Sequence, residues 1–214
     1  MQLIDVLDKC YVVHVRGTPT SGKTILATML DNRLKAEGRD TVFVQNWPWK
    51  EFGHRYKAAL VHAALENKLE LDPNRLNSYT NVVFIIDEAQ KTYGYEDFWQ
   101  VFIKGRSLSE WGSKICLFSS YGNPVTGSPD HSEGSVPVHF GPQQRVGITP
   151  SLVPFGTRFG LFFTADEFED IVDRHNKNHL NPLPLDAGAK AYLYKITNGH
   201  PGAVTALLTV WKEV

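Results

Sequence analysis

Short apolar runs alternate with stretches of helical periodicity through about the first 120 residues of the chain. Four of the apolar runs have the length of buried strands, and they cover residues 11–15, 42–44, 82–86 and 115–118. Three other stretches repeat apolar residues at the spacing of one helix face, over residues 25–34, 52–65 and 98–103. Because strands that alternate with helices are typical of βαβ units, the pattern predicts an α/β fold around a parallel sheet.

The pattern changes in the second half of the chain. Residues 122–157 are rich in Gly, Pro, Ser and His without a period, which predicts a long irregular segment. The apolar run 159–163 is then expected to form a fifth strand. Thr164 and Glu167 match a capping box that opens a helix, and Pro201 suits the first turn of a last helix. We therefore predict two parts, an α/β core over residues 1–164 and a small helical lid over residues 165–214.

Composition narrows the classes of protein. At 214 residues the chain fits one domain with a small appendage and is too short for a two-lobed helicase. Lys and Arg number 22 against 23 Asp and Glu, so no overall field draws the chain to nucleic acid, and we predict no direct nucleic-acid binding. No apolar run approaches the roughly 20 residues of a membrane span, and we predict no membrane contact. Two cysteines, Cys10 and Cys116, favour a reducing intracellular compartment, cytoplasmic or nuclear.

Residues 17–24 match the pattern G-x-x-x-x-G-K-[ST] between the first predicted strand and the first predicted helix. The glycines let the backbone form a nest of N–H groups around phosphate oxygens at the positive end of a helix. Lys23 is expected to reach the β and γ phosphates, and the Thr24 hydroxyl to coordinate Mg²⁺. The predicted nucleotide-binding residues of this loop are Gly17, Thr18, Pro19, Thr20, Ser21, Gly22, Lys23 and Thr24.

Two carboxylates, Asp87 and Glu88, directly follow the apolar run 82–86 at the carboxyl edge of the predicted sheet. We expect Asp87 to hold hydrated Mg²⁺ and Glu88 to polarise the attacking water. The fourth predicted strand ends in Ser119 and Ser120, and either is a candidate sensor of the γ phosphate. Serines that merely begin a turn are an equally good interpretation. The chain has no Asn-Lys-x-Asp motif for guanine, which favours ATP, or its product ADP, as the nucleotide.

With these motifs the chain resembles the additional-strand class of P-loop ATPases, near the AAA+ and STAND branches. The resemblance implies a three-layer α/β fold with a mostly parallel five-stranded sheet in the order 5-1-4-3-2 and a small C-terminal helical lid. Residues 198–204 read Asn-Gly-His-Pro-Gly-Ala-Val and are similar to the Gly-x-Pro lid element of STAND and origin-recognition-type ATPases. This similarity implies that His200 and Pro201 contact the nucleotide, although a plain Pro-initiated helix explains the same residues.

Five motifs taken together resemble the NTPase region of fungal Crinkler-type proteins, and they lie at residues 16–24, 87–93, 98–104, 120–122 and 199–204. Members of that family typically carry an N-terminal header for delivery and a C-terminal effector region. The resemblance therefore implies a fused or partner effector region, and delivery into a host cell for a protein of that kind. Neither a header nor an effector region is visible among these residues.

Three functions are compatible with the motifs. The first is Mg²⁺-dependent ATP hydrolysis that drives a change of conformation or assembly, with self-association of the chain as one form of output. The second is a STAND-type switch that binds nucleotide with little turnover, and the third is a kinase acting on a small molecule or nucleoside. Gln90 is a further candidate for orienting the water, and Arg106 for an arginine finger offered to a neighbouring protomer.

Overall fold

A five-stranded sheet forms the centre of the computed structural model, which describes residues 2–47, 49–52, 55–107, 111–120, 138–177 and 185–210. Its paired strands all run parallel in the order β2-β3-β4-β1-β5. The strands are β1 Val12–Arg16, β2 Asp40–Val44, β3 Val82–Ile86, β4 Lys114–Ser119 and β5 Arg145–Val146. The α/β class and the predicted order 5-1-4-3-2 are therefore confirmed.

Helices cover both faces of the sheet. They are α1 Gln2–Cys10, α2 Lys23–Ala36, α3 Trp49–Phe52, α4 Tyr56–Glu66, α5 Lys104–Ser107, α6 Ala165–Lys177, α7 Ala187–Thr197 and α8 Pro201–Val210. A π-helical segment, Phe98–Ile103, continues directly into α5. The helix predicted over residues 52–65 corresponds to α4, which is preceded by the short α3.

Alternate strand residues build two separate apolar layers, because successive side chains of a strand point to opposite faces. On one face Phe84 and Leu117 pack with α4 and the aromatic residues of the π-helical segment. On the other face Val15 and Ile85 pack with α1 and α2. The sheet is thus enclosed on both sides, as the continuous apolar composition of the interior strand β3 predicts.

The fifth strand is not where the apolar run predicts it. β5 consists of Arg145 and Val146, inside the segment interpreted as irregular, and it pairs with β1. Residues 159–163 form no strand, so that prediction is wrong. Leu161 N and Phe162 N donate only to Gly147 O and Ile148 O, just beyond β5. The apolar side chains of this run are explained instead by packing, since Phe159, Leu161 and Phe162 pack against the α1 and α2 layer and Phe163 packs with the C-terminal helices.

An N-terminal helix, α1, was not predicted from the sequence. It buries Leu3, Ile4 and Leu7 against the sheet and is fastened by Asp8. The Asp8 carboxylate accepts hydrogen bonds of 2.7 Å from both terminal nitrogens of Arg39 and a further one from Lys114 Nζ. These contacts join α1 to the residues that precede β2 and to the first residue of β4.

The last three helices have an apolar cluster of their own, made of Phe168, Val172, Leu193, Val204 and Leu208. The predicted capping box at the start of α6 is confirmed, since Thr164 N donates to Glu167 Oε2 at 2.8 Å and Glu167 N to Thr164 Oγ1 at 3.3 Å. Whether residues 165–214 form a separate lid stays a prediction. Among the described residues, no helix is both long enough and apolar enough to cross a membrane.

Arg106 is enclosed in the protein, which excludes it as an arginine finger. Its guanidinium donates to Ser113 O and, at 2.9 Å, to Trp111 O, and it lies 4.6 Å from the centre of the Tyr11 ring. An arginine that is only 1% exposed does not reach a neighbouring protomer, so this prediction is wrong. Arg106 instead holds Trp111 and Ser113, which lie just before β4.

The ion pairs of Asp8 predict a stability that depends on pH. The guanidinium of Arg39, followed by Lys114, lowers the pKa of Asp8 to about 2 from its ordinary value of 3.8. The stabilisation is therefore fully present above about pH 3.8 and is lost as the pH falls towards 2. Because the carboxylate is partly solvated, we expect Asp8→Asn to lower the free energy of unfolding by about 1 kcal/mol at pH 7.

Urea denaturation of the parent chain and of Asp8→Asn across this pH range measures the effect. The difference should shrink below pH 3.8 and disappear near pH 2. Asp5→Asn, an exposed change on the same helix, is the matched control and should alter stability by less than about 0.5 kcal/mol. Equal stability of the parent and Asp8→Asn at pH 7 would contradict the assignment.

Candidate functional site

The loop of residues 17–24 connects β1 to α2 at the carboxyl edge of the sheet. Gly17 N donates to Ser119 O at 3.2 Å, which fastens the start of the loop to the end of β4. Gly22 adopts a left-handed conformation with φ 86°, which favours glycine. Since Gly22 has no side chain to cap α2, the first N–H groups of that helix remain available to an anion.

Lys23 lies folded back over the loop. Its Nζ donates to Gly17 O at 3.0 Å and to Thr18 O at 2.7 Å, and the side chain is buried. Burial lowers the pKa of Lys23, and the charges of Glu88 and Asp87 act in the opposite direction. The ammonium group therefore lies within electrostatic reach of both carboxylates while it is held by the loop's own carbonyl groups.

A direct hydrogen bond joins the loop to the end of β3. Thr24 Oγ1 donates to Asp87 Oδ2 at 2.7 Å, and the other carboxylate oxygen, Oδ1, accepts from Glu88 N at 2.9 Å. Asp87 is buried, and its own N–H donates to Val44 O at the end of β2. A hydroxyl and a carboxylate thus meet at one point, and these are oxygen ligands of the kind that Mg²⁺ binds.

Glu88 is held in a strained backbone conformation and is bridged to β4 by Gln90. Its φ of 53° lies in the left-handed region, which is costly for a residue with a side chain. Gln90 Nε2 donates to Glu88 Oε2, and Gln90 Oε1 accepts from Ser120 N at 3.1 Å. The amide of Gln90 therefore fixes the orientation of the Glu88 carboxylate relative to the tip of β4.

The two candidate sensor serines occupy different environments. Ser119 is fully buried, and its Oγ lies 2.6 Å from Nε2 of the buried His14. Burial, aided by the charge of Arg16, lowers the pKa of His14 to about 3, so this pair is neutral. Ser119 therefore points into the protein, whereas Ser120 lines a cavity beside Gly17. We retain Ser120 alone as a candidate sensor.

The beginning of α8 touches the loop. Thr18 Oγ1 lies 3.1 Å from His200 Nε2, and Gly202 N donates to Thr20 O at 3.1 Å. A Cβ on Gly202 would lie 2.6 Å from Thr20 Oγ1, so glycine permits this approach. Pro201 lies beside Gly22, 3.9 Å from the position that a Cβ there would occupy. The residues expected to contact nucleotide, His200 and Pro201, are thus at the loop, and their contact with nucleotide stays a prediction.

The donor set fits a bound nucleotide with its metal ion. Ser21 Oγ is buried inside the loop and has no hydrogen-bond partner among the described residues, so it is free to meet a phosphate oxygen. Lys23 supplies a cation at the same place, and Thr24 with Asp87 supplies the oxygen ligands. Sequence reasoning found these residues, whereas the bridging geometry of Gln90 had no signal beyond its position two residues after Glu88.

Comparison with known proteins identifies the fold. No family model matches the chain, and no curated protein matches it. Two solved structures of single-substitution variants of RuvB from Thermotoga maritima, an AAA+ P-loop ATPase, match with a TM-score of 0.50. Their identities to this chain are 16% and 17%, and each match covers 97% of this chain.

This chain spans 59% of the length of those two RuvB chains. At such low identity the likeness concerns the fold alone. The predicted three-layer α/β fold around a mostly parallel five-stranded sheet is therefore confirmed, and the likeness supports the P-loop type of that fold. Similarity to the Crinkler-type proteins stays a prediction, because none of these findings bears on it.

The approach of α8 to the loop depends on Gly199. This residue has a φ of 71°, and a Cβ there would lie 2.1 Å from Phe163 O. We expect Gly199→Ala to displace the start of α8 and to cost about 1–3 kcal/mol of stability. Hydrogen exchange of the Gly202 amide should become roughly tenfold faster, since its bond to Thr20 O is loosened.

Gly94→Ala is the control for this prediction, because a Cβ on Gly94 would meet nothing within 4 Å. That variant should leave both stability and the exchange of Gly202 unchanged. An unaltered exchange rate in Gly199→Ala would show that α8 is positioned by other contacts.

Proposed function

We propose that this protein binds ATP with Mg²⁺ and hydrolyses it. The observation that carries the proposal is the 2.7 Å hydrogen bond between Thr24 Oγ1 and Asp87 Oδ2, with Lys23 within electrostatic reach of both Asp87 and Glu88. A cation, a hydroxyl and two carboxylates at one edge of a parallel sheet match the needs of phosphate binding and of water activation.

In the proposed bound state Lys23 exchanges the carbonyl oxygens of Gly17 and Thr18 for oxygens of the β and γ phosphates. Ser21 Oγ and the N–H groups at the start of α2 donate to the same phosphates. Thr24 and Asp87 hold the metal ion through their oxygens. Bound Mg²⁺ supplies positive charge that neutralises the phosphate oxygens during transfer.

Glu88 is the proposed general base. Its carboxylate accepts the proton of a water molecule that attacks the γ phosphorus, so the water oxygen becomes more nucleophilic. Gln90 donates to Glu88 Oε2, which leaves the other carboxylate oxygen to face the water. Ser120 is proposed to sense the γ phosphate, and its N–H is already tied to Gln90. A change at the phosphate would therefore be transmitted to the base through one amide side chain.

A nucleotide-gated switch with little turnover is the second candidate, and the contact between α8 and the loop favours it. Thr18 and Thr20, which touch His200 and Gly202, belong to the loop that is proposed to surround the phosphates. Occupation of the loop would alter these contacts and hence the position of the C-terminal helices. Self-association of the chain is one output that such a movement could control.

We also infer kinship with the NTPase region of Crinkler-type proteins. The support is the set of five motifs, of which those at residues 16–24 and 87–93 are the most specific. Delivery into a host cell and a fused or partner effector region follow from that kinship. Both inferences depend on the kinship and are independent of ATP hydrolysis.

Two substitutions separate binding from chemistry. Lys23→Ala should abolish ATP binding in calorimetry, because it removes the ammonium group from the phosphate site. Glu88→Gln should retain ATP and lower kcat by about 10²–10⁴-fold, because the amide accepts no proton. Lys91→Ala is the control, since this lysine near Glu88 is exposed and its side chain donates to Asn46 and not to the site. Unchanged phosphate release by Glu88→Gln would overturn the assignment of the base.

The switch predicts a different pattern. Addition of ATP to Glu88→Gln should change the hydrogen exchange of the Gly202 amide, and single turnover should be slow in the parent chain. Light scattering of the ATP and ADP forms then measures any change in assembly. The switch would be excluded if a monomer hydrolysed ATP rapidly in the steady state while nucleotide left the hydrogen exchange of α8 unchanged. The ATPase would then remain as the function.

A further inference from the structure

A cavity of about 790 Å³ opens beside the loop, at the carboxyl ends of β1, β4 and β5. Gly17, Thr18 and Ser120 form one wall, and residues 147–153, which follow β5, form the opposite wall. The volume lies within the range of small-molecule sites, which is roughly 300–1,000 Å³. Open parallel sheets bind ligands at this edge.

The cavity adjoins the site proposed for ATP and has the candidate sensor Ser120 in common with it. It shares Gly17 and Thr18 with the loop, but Lys23, Thr24 and Asp87 are not part of its lining. The α8 residues that touch the loop are also outside it. A molecule in this cavity would therefore lie next to the first residues of the loop.

The charged residues that line the cavity are both arginines. Arg145 of β5 is in register with His14 of β1, and Arg16 follows His14 by two residues, so all three project from the same face of the sheet. Arg16 lines the cavity, as does His14, whose pKa the charge of Arg16 helps burial to lower. Among the described residues, no Asp or Glu lines the cavity.

The remaining lining suits a molecule with an anionic end and a less polar body. Hydroxyl groups are offered by Ser120, Thr149 and Ser151. Ile148 and Leu152 supply apolar surface, and Leu152 is fully exposed at the rim. Thr157 Oγ1 donates to Arg145 O at 2.8 Å and so ties the returning chain to the strand that carries the arginine.

We propose that this cavity binds a second small molecule, a phosphorylated compound of nucleoside-monophosphate size, through Arg16 and Arg145. A guanidinium group pairs with phosphate oxygens through two parallel hydrogen bonds, which gives both attraction and orientation. The apolar wall accepts the base or an equivalent planar body. This assignment goes beyond the proposed ATP site, because it adds a ligand that does not touch Lys23.

Calorimetry with uridine monophosphate as the probe tests the proposal, with uridine as the uncharged comparison. The titration is made on the parent chain saturated with Mg²⁺ and a non-hydrolysable ATP analogue, and on Lys23→Ala without nucleotide. Saturable binding of the monophosphate is expected in both, and uridine should bind at least about tenfold more weakly. Because Lys23→Ala is expected not to bind ATP, binding of the monophosphate to this variant tests the cavity independently of the proposed ATP site.

Arg145→Gln should weaken the binding of uridine monophosphate by about tenfold, since it removes the guanidinium group that would form two parallel hydrogen bonds to the phosphate. Arg158→Gln, a change at an exposed arginine outside the lining, is the matched control and should bind as the parent does. If Arg145→Gln does not fold, Arg145→Lys preserves the charge without the two parallel hydrogen bonds and should show a smaller loss.

Three results would overturn the proposal. The first is displacement of uridine monophosphate by the ATP analogue, which would assign the cavity to the nucleotide already proposed. The second is equal affinity of the parent and both Arg145 variants. The third is an absence of saturable binding up to about 1 mM, or equal binding of uridine, which would remove the recognition of phosphate.

Discussion

The hydrogen bond between Thr24 and Asp87 joins residues 63 positions apart, and it exists only because three parallel strands end at one edge. β4 lies between β1 and β3, so its last residues occupy the gap between the loop and the acidic pair. Ser119 O therefore receives Gly17 N, and Ser120 N reaches Gln90. A strand order that placed β3 farther from β1 would separate the cation of Lys23 from both carboxylates, and the site would not form.

The regular parts of this arrangement follow from local sequence, and the irregular parts do not. β3 is a continuous apolar run with polar residues on both sides, and the observed bounds equal the predicted ones. β5 has two residues, one of them Arg145, and a pair of residues carries no periodicity. The run 159–163 is apolar, but an apolar run indicates that side chains are buried and does not show that the backbone pairs as a strand. In α1 the residues Leu3, Ile4 and Leu7 lie at helical spacing, so the missed helix had a readable pattern.

The same division applies to the site. Spacing identifies Lys23, Thr24 and Asp87, because a phosphate loop after a strand constrains residue type at each position. Strand alternation could have shown that Ser119 faces inward with Leu117, and it would have left Ser120 as the candidate. The bridge made by Gln90 could not be read from sequence, since it depends on a side-chain rotamer and on the left-handed backbone of Glu88.

The contact between Thr18 and His200 joins residues 182 positions apart, and with the bond from Gly202 N to Thr20 O it holds the start of α8 to the loop. Under the proposed function, a ligand held by both sides would act as a reversible crosslink between the two ends of the fold. Its free concentration would then set how often the C-terminal helices detach. Detached helices are substrates for proteases, so the lifetime of the protein in a cell would follow the supply of its nucleotide.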